Sequence, residues 1–139
     1  MEPDATKAPE IELEQVSVER NGVTELWRIG WRIKNGGARS LCIESVRLPH
    51  GQFKAEEQRF EPALLLSSGQ EAQFYSVVRC DEPAGVVTEN GFLIFHVGWS
   101  GAPWRIFVRV RVIVQSKREP KAAVESITAQ RVGFSGVSS

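Results

Sequence analysis

The sequence GFLIFHVGWSGAPWRIFVRVRVIVQ, residues 91–115, decides the fold. Apolar residues take every second position on both sides of a turn cluster at 100–103, and this is the period of a half-buried β-strand. A two-residue turn at Gly101-Ala102, with glycine first as in a type II′ turn, predicts that Trp99 lies opposite Trp104. The same register predicts three more apolar pairs: Val97 with Ile106, Phe95 with Val108, and Leu93 with Val110. One register therefore puts both inner faces on the same side, which predicts a β-hairpin.

The period of two continues back from this hairpin to residue 10. Further strands are predicted over residues 10–20, 23–34, 40–48 and 70–79, and the less regular segment 52–68 holds one short strand and a crossing loop. Changes of parity near Glu14 and between Ile43 and Val46 predict β-bulges. Asn21-Gly22 predicts a type I′ turn. About seven strands with one apolar face each predict an all-β, antiparallel two-sheet sandwich, and a small closed barrel or a jelly roll is the alternative.

The chain is predicted to hold one domain with two extensions. Residues 1–9 contain prolines and charges and are expected to form a flexible leader, residues 10–115 form the sandwich, and residues 116–139 form a polar C-terminal tail. Within the tail, residues 122–130 could form a short helix, and residues 127–134 could form an added strand.

Composition and charge limit the classes of function. Of the 139 residues, 42% are hydrophobic and 24% are charged, and the net charge is zero, which is a globular composition. A neutral chain has no long-range attraction for nucleic acid or for anionic membranes. Neither a secretory signal nor a membrane span is present, so a soluble, cytoplasmic protein is expected. In that compartment Cys42 and Cys80 are expected to be free thiols, and a disulfide between them stays open as an alternative.

No residue pattern indicates catalysis, a metal or a cofactor. The two histidines, His50 and His96, lie far apart, and the two aspartates are Asp4 in the leader and Asp81 in a turn. A nucleophile needs a base beside it, and a metal needs His, Cys or carboxylates at ligand spacing. The sequence therefore predicts a protein that is not an enzyme, with no catalytic residues, no metal ligands and no cofactor.

Four tryptophans, Trp27, Trp31, Trp99 and Trp104, share the inward parity of their strands. Core packing is the favoured interpretation, although exposed aromatic side chains also form platforms for sugar rings. Trp99 and Trp104 flank a turn, so they are the candidate ligand residues if the domain binds carbohydrate or another small ligand.

The outer face of the final hairpin is unusually apolar for a solvated surface. We define the arginine-rimmed face by seven outward residues: Phe92, Ile94, His96, Arg105, Phe107, Arg109 and Arg111. Aromatic residues and arginine are enriched at protein interfaces, so this face is the candidate binding surface for a protein partner or a second copy of the chain. Three other outcomes stay open: the acidic first strand (Glu10, Glu12, Glu14) pairs with the arginines, the tail covers the face, or the face is simply exposed.

The pattern from residue 10 to residue 115 resembles the immunoglobulin-like sandwich domains of bacterial proteins, including the cell-adhesion-related type called CARDB. The resemblance rests on the strand from Trp27 to Ile33 that ends in Asn35-Gly36, on Leu66-Ser67-Ser68-Gly69-Gln70 before the Phe74 strand, and on the final hairpin. It implies an immunoglobulin-like two-sheet sandwich. Cys42 and Cys80 fall on the wrong strands for the cysteine pair of antibody domains. The expected function is a non-enzymatic protein-interaction module, plausibly self-associating, and the alternative is a carbohydrate-binding or small-ligand module.

Overall fold

Eight antiparallel strands form two sheets in the computed structural model, which describes residues 7–49 and 51–133. The strands are β1 (Ile11–Asn21), β2 (Val23–Asn35), β3 (Leu41–Leu48), β4 (Ala55–Leu66), β5 (Glu71–Arg79), β6 (Val87–Trp99), β7 (Ala102–Val114) and β8 (Pro120–Arg131). The smaller sheet has the order β1-β2-β5 and the larger sheet has the order β4-β3-β6-β7-β8. The predicted two-sheet sandwich is therefore confirmed.

The core lies between the two inner faces that the alternating sequence predicts. From the smaller sheet, Trp27, Ile29, Trp31 and Ile33 of β2 are at most 1% exposed. From the larger sheet, the alternate aliphatic and aromatic residues of β6 and β7 are buried against them, among them Leu93, Phe95, Val97, Ile106, Val108 and Val110. Because each strand buries one face only, sheet-on-sheet packing is what removes these side chains from water.

The final hairpin forms with a register that differs by two residues from the predicted one. Trp99 pairs with Ala102 and Val97 pairs with Trp104, so the turn is Ser100-Gly101. Both turn residues have positive φ, 51° for Ser100 and 79° for Gly101, which identifies a type I′ turn and not the predicted type II′ turn. Because side chains alternate with a period of two, a two-residue shift leaves every residue on its predicted face.

A similar correction applies at Asn21-Gly22. Only Gly22 has positive φ there, and the ladder is irregular between Arg20 and Asn21, so the predicted type I′ turn does not form. The bulges are confirmed: the register shifts between Gln15 and Ser17 in β1, and between Ile43 and Ser45 in β3. The segment predicted as a short strand and a loop is instead the long strand β4, whose register against β3 is interrupted after Arg59.

Asn35 joins the two sheets at the end of β2. Its side chain is 1% exposed, and its Nδ2 donates to the carbonyls of Arg39 (2.8 Å) and Leu66 (3.0 Å). Its Oδ1 accepts the backbone N–H of Gly37 at 2.9 Å. A buried amide with all of these partners stabilises one arrangement of chain segments, because any other arrangement leaves polar groups unpaired. Asn35 thus fixes the position of the 66–70 turn against the end of β2.

The predicted boundary at residue 115 is wrong, because the tail contains strand β8. Pro120–Arg131 pairs with β7 along the whole of that strand, from Trp104 opposite Arg131 to Val114 opposite Pro120. The suggested helix over 122–130 is therefore not formed, and the suggested added strand over 127–134 begins earlier, with residue 134 outside the described residues. Apart from the 3₁₀ turn Ser116–Arg118, the described residues contain no helix, and none that could cross a membrane.

Candidate functional site

The residues of the arginine-rimmed face come together on the outer side of the larger sheet. Phe92 of β6 lies opposite Arg109 of β7, and His96 lies opposite Arg105. Ile94 lies between Phe107 of β7 and Arg47 of β3, so Arg47 extends the face onto a third strand. The arrangement is a short apolar row with arginines on both sides.

The apolar side chains of this face are shielded to different extents. Ile94 is only 6% exposed although it does not belong to the core cluster, and Phe92 and Phe107 are half-buried. Ile94 is therefore shielded from solvent without being part of the core between the sheets. The accessible apolar surface is provided by the rings of Phe92 and Phe107 around it.

Two of the three arginines on β7 have no carboxylate partner among residues 7–49 and 51–133. Arg109 donates to neutral acceptors, through Nε to Ser126 Oγ at 3.2 Å and through Nη1 to Asn90 Oδ1 at 3.3 Å. The Nε of Arg105 is buried without a hydrogen-bond partner. Arg111 differs, because it forms an ion pair with Glu89 at 3.2 Å. Arg105 and Arg109 therefore form no ion pair within the described part of the chain, and the carboxylates of Glu57 and Glu44 are near enough to this face to act on His96.

The surroundings of His96 favour the neutral form of its imidazole over the charged form. Burial lowers the pKa of His96, and the positive charges of Arg105 and Arg47 lower it further, against an opposite effect of Glu57 and Glu44. A neutral imidazole beside Arg105 can accept one hydrogen bond and donate another. It therefore adds a polar contact to the face without adding charge.

The acidic first strand does not neutralise the arginine-rimmed face. β1 pairs with β2 in the smaller sheet, and there Glu14 forms an ion pair with Arg32 and Glu19 forms one with Arg28 at 3.3 Å. The alternative in which Glu10, Glu12 and Glu14 pair with the arginines of the last strand is therefore wrong. The part of the tail up to residue 133 does not fold over the face either, because β8 lies beside β7 and extends the sheet.

The tryptophans do not form an exposed platform. Trp27 and Trp31 are in the core, where Trp27 Nε1 donates to the carbonyl of Cys80 at 3.1 Å. Trp99 is 5% exposed and packs edge-to-face against the half-buried Trp104, with ring centroids 5.5 Å apart. A sugar ring stacks on a flat, accessible aromatic face, and this pair does not offer two parallel faces. Core packing is the role that this geometry supports.

A cleft of about 610 Å³ lies beside these tryptophans at the end of the larger sheet. Its lining includes Cys42, Glu44, Leu65 and Gly98, and Leu65 is 71% exposed. Burial, and then the charge of Glu44, raise the pKa of the Cys42 thiol, which keeps it protonated. Cys42 and Cys80 are both free thiols, and the pKa of Cys80 is also raised, mainly by burial. Neither cysteine has the lowered pKa of a nucleophile.

A second cleft, of about 1070 Å³, separates β4 from β5 on the side where the sandwich is open. Sequence reasoning did not identify it, because it depends on which strands lie at the sheet edges. Tyr75 and Val77 border it and are 44% and 48% exposed. Ser76, between them, lines the cleft with a buried hydroxyl that has no hydrogen-bond partner. The outward parity of Tyr75 and Val77 was the signal available in the sequence.

Within the described ranges, no group of three or more His, Cys, Asp or Glu residues could hold a metal ion. Arg105, Arg47, Glu57 and Glu44 are the charged groups that act on His96, and His50 lies outside the described residues. The arrangement on the outer face can bind apolar and anionic groups.

Comparisons with known proteins add little to this geometry. No protein-family model matches the chain, and no curated protein matches it. Among solved structures, the chain is similar to the X-ray structure of Northeast Structural Genomics Consortium target SoR45, with 14% identity and a TM-score of 0.27, covering 93% of this chain and 87% of the other. A TM-score of this size supports no conclusion about fold or function, so the site rests on the contacts described above.

Proposed function

We propose that the protein is a non-enzymatic interaction module that binds a protein partner through the arginine-rimmed face. The observation that carries the proposal is the combination of apolar and unneutralised positive groups: the rings of Phe92 and Phe107 lie beside Arg105 and Arg109, which have no carboxylate partner among the described residues. Aromatic residues and arginine dominate the binding energy of protein interfaces. A strand face that only contacts water rarely combines several exposed aromatic rings with arginines.

The charge of the face indicates the chemistry of the partner. Two copies of this face in contact would bring Arg105 and Arg109 of one copy against the same residues of the other, and like charges at an interface are unfavourable. A partner surface with carboxylates around an apolar centre is complementary instead. The proposed partner is therefore an acidic protein surface, and self-association through this face is disfavoured.

The fold itself is proposed to be immunoglobulin-like. The order β1-β2-β5 facing β4-β3-β6-β7 supports this, since the chain passes between the sheets after β2, after β4 and after β5. The immunoglobulin sandwich has the same order of its A, B and E strands facing C, F and G. An experimental structure that superimposes on immunoglobulin-like domains strand by strand, including the bacterial CARDB type, would support the assignment.

The variant Phe107→Glu tests the proposed function. A carboxylate in place of this ring removes the apolar contact and repels an acidic partner, so we expect the affinity for the partner to fall by about 30-fold or more. The partner is first identified by cross-linking to the wild type, and binding of the purified partner is then measured by calorimetry. Arg105→Glu should weaken binding in the same direction, and raising the ionic strength should weaken binding to the wild type.

Leu65→Glu is the matched control, because it puts the same charge at a 71% exposed position on the edge strand β4, which β3 separates from β6. This control should bind the partner as tightly as the wild type. The proposal fails if every cross-linked partner binds Phe107→Glu and the wild type with equal affinity, or if Leu65→Glu and Phe107→Glu weaken binding equally.

A further inference from the structure

Strand β5 is paired on one side only, with β2. On its other side a single isolated bridge is present, in which the Lys54 N–H donates to the Arg79 carbonyl (3.1 Å) and the Arg79 N–H donates to the Lys54 carbonyl (2.8 Å). Alternate residues of a strand direct their backbone groups to the same side. The backbone groups of Glu71, Gln73, Tyr75 and Val77 therefore point away from β2, toward the open side.

This edge lacks the features that protect edge strands from pairing. β5 contains no proline and no lysine, and its register with β2 is continuous from Arg79 to Glu71. The outward side chains of Tyr75 and Val77 are 44% and 48% exposed. Natural edges are usually interrupted by a bulge, a proline or a lysine. An open and regular edge of this kind is a template for another strand.

The remaining edges differ from β5. In β1, the bulge near Val16 interrupts the strand, and the Gln15 side chain bonds to the backbone of Pro120 and Ala122. In β4, Pro62 and the break in register after Arg59 interrupt the strand. In β8, Pro120 and Lys121 begin the strand, and its register against β7 shifts between Arg109 and Val110. Among the described residues, β5 is consequently the edge best suited to pairing with a second chain.

We propose that two copies of the chain associate through antiparallel pairing of their β5 strands. If the two-fold axis passes at Phe74, Glu71 of each copy lies opposite Val77 of the other, and Gln73 lies opposite Tyr75. All four open positions are then paired, and the Lys54–Arg79 bridge marks where pairing stops. The two small sheets become one six-stranded sheet with the order β1-β2-β5-β5-β2-β1.

Charge complementarity supports a second copy as the occupant. One end of the open stretch carries Glu71, whose carboxylate lies 4.0 Å from Arg32, and the other end carries Lys54 and Arg79, of which Arg79 forms an ion pair with Glu25 at 3.0 Å. All three side chains are exposed, so they can also contact charges of a second copy. Antiparallel pairing brings the acidic end of each copy beside the basic end of the other, which is favourable at both ends of the contact. This interface is separate from the arginine-rimmed face, so the inference does not rest on the proposed function.

A charge exchange tests the proposal. The variant Glu71→Arg makes both ends basic, and the double variant Lys54→Glu with Arg79→Glu makes both ends acidic, so each variant repels its own copy. Sedimentation equilibrium should show a concentration-dependent dimer for the wild type and dissociation constants at least about tenfold higher for each variant. An equimolar mixture of the two variants should restore a dimer of wild-type strength, because opposite ends then meet.

A backbone variant keeps the test decisive if the charge variants fold poorly. Val77→Pro removes an N–H that points to the open side, which a monomer tolerates because proline is accepted on sheet edges. This variant should remain folded by circular dichroism and should be monomeric. Phe107→Glu should dimerise like the wild type, which separates this interface from the proposed partner site. A wild type that stays monomeric at all concentrations, or a mixture that does not dimerise, overturns the proposal.

Discussion

At the scale of single residues, two arginines of the outer face lack a carboxylate partner among the described residues. Arg105 has a buried Nε without an acceptor, and Arg109 bonds only to neutral side chains among the described residues. His96 lies opposite Arg105 and has a lowered pKa. Burial and the positive charges nearby disfavour its imidazolium ion. Hydrogen-bond donors that lack an acceptor within the chain stabilise a complex when a bound partner supplies that acceptor.

The lowered pKa of His96 predicts how stability depends on pH. The unfolded chain binds a proton at His96 with an ordinary pKa of about 6.5, whereas the folded chain binds it only at lower pH. Stability is therefore fully present above the unfolded pKa and decreases as the pH falls from there through the lower, folded pKa. The variant His96→Gln should lose less stability than the wild type on acidification across this window, as measured by urea unfolding.

Arg105→Gln serves as the companion variant. It removes one positive charge that lowers the pKa of His96 and leaves the burial of His96 unchanged. Its stability should depend on pH less steeply than that of the wild type and more steeply than that of His96→Gln. Equal pH dependence in all three proteins would show that the environment of His96 does not disfavour its charge.

At the scale of elements, β8 decides how far the domain extends. It pairs with the whole of β7, buries Ala122 and packs Val124 and Ile127 against the core. Its small and polar residues hide this role in the sequence, because the adjacent alanines Ala122 and Ala123 and the polar residues Ser126 and Thr128 give little apolar periodicity. The strand is stabilised mainly by the long partner beside it, which already has one apolar face.

Ending the chain after Gln115 should therefore be strongly destabilising. The deletion leaves β7 as a 13-residue open edge and removes the apolar groups of β8 from the core margin. We expect the melting temperature to fall by at least about 10 °C, with aggregation detected by light scattering. Thr128→Ala, an exposed change on the same strand, should melt like the full-length protein. If the shortened chain has the melting temperature of the full-length protein, the domain ends at residue 115 and β8 is not needed for its stability.

Sequence alternation predicted the elements better than it predicted how they pair. It identified the buried face of each regular strand, because a period of two survives a register error of two residues, as at Trp99 and Trp104. It misplaced the turn because Ser100, which is not glycine, adopts positive φ. The seven residues of the arginine-rimmed face followed from the same alternation. That Glu14 pairs with Arg32 did not follow, because the choice of sheet depends on contacts between distant segments.

At the scale of the whole molecule, the two open sides of the sandwich differ. On one side β1 meets β8 through Gln15, whose Nε2 donates to the Pro120 carbonyl at 3.0 Å and whose Oε1 accepts the Ala122 N–H at 2.7 Å. On the other side β4 and β5 are joined at one end by the Lys54–Arg79 bridge and separated elsewhere by the larger cleft. The first side is therefore bridged by the Gln15 side chain from the interior of β1, whereas the second side is bridged only at the Arg79 end of β5, which leaves the rest of the β5 edge available to a second chain.

Gln15→Ala should weaken the closed side. It leaves two partly buried backbone groups without partners, which costs about 1–3 kcal/mol in the free energy of unfolding measured by urea titration. Gln15→Glu keeps the acceptor for Ala122 and loses the donor to Pro120, so its stability should lie between those of Gln15→Ala and the wild type. If Gln15→Ala unfolds at the wild-type urea concentration, the side chain does not hold the sheets together.

The contact of Gln15 with Pro120 also has a consequence for the order of folding. These residues are 105 positions apart in the chain, and closing so long a loop costs entropy that only other completed contacts can offset. The hairpin at Ser100-Gly101 closes a loop of two residues and can form early. We therefore expect the refolding chain to assemble its hairpins first, and the two ends of the domain to come together in the last and slowest step.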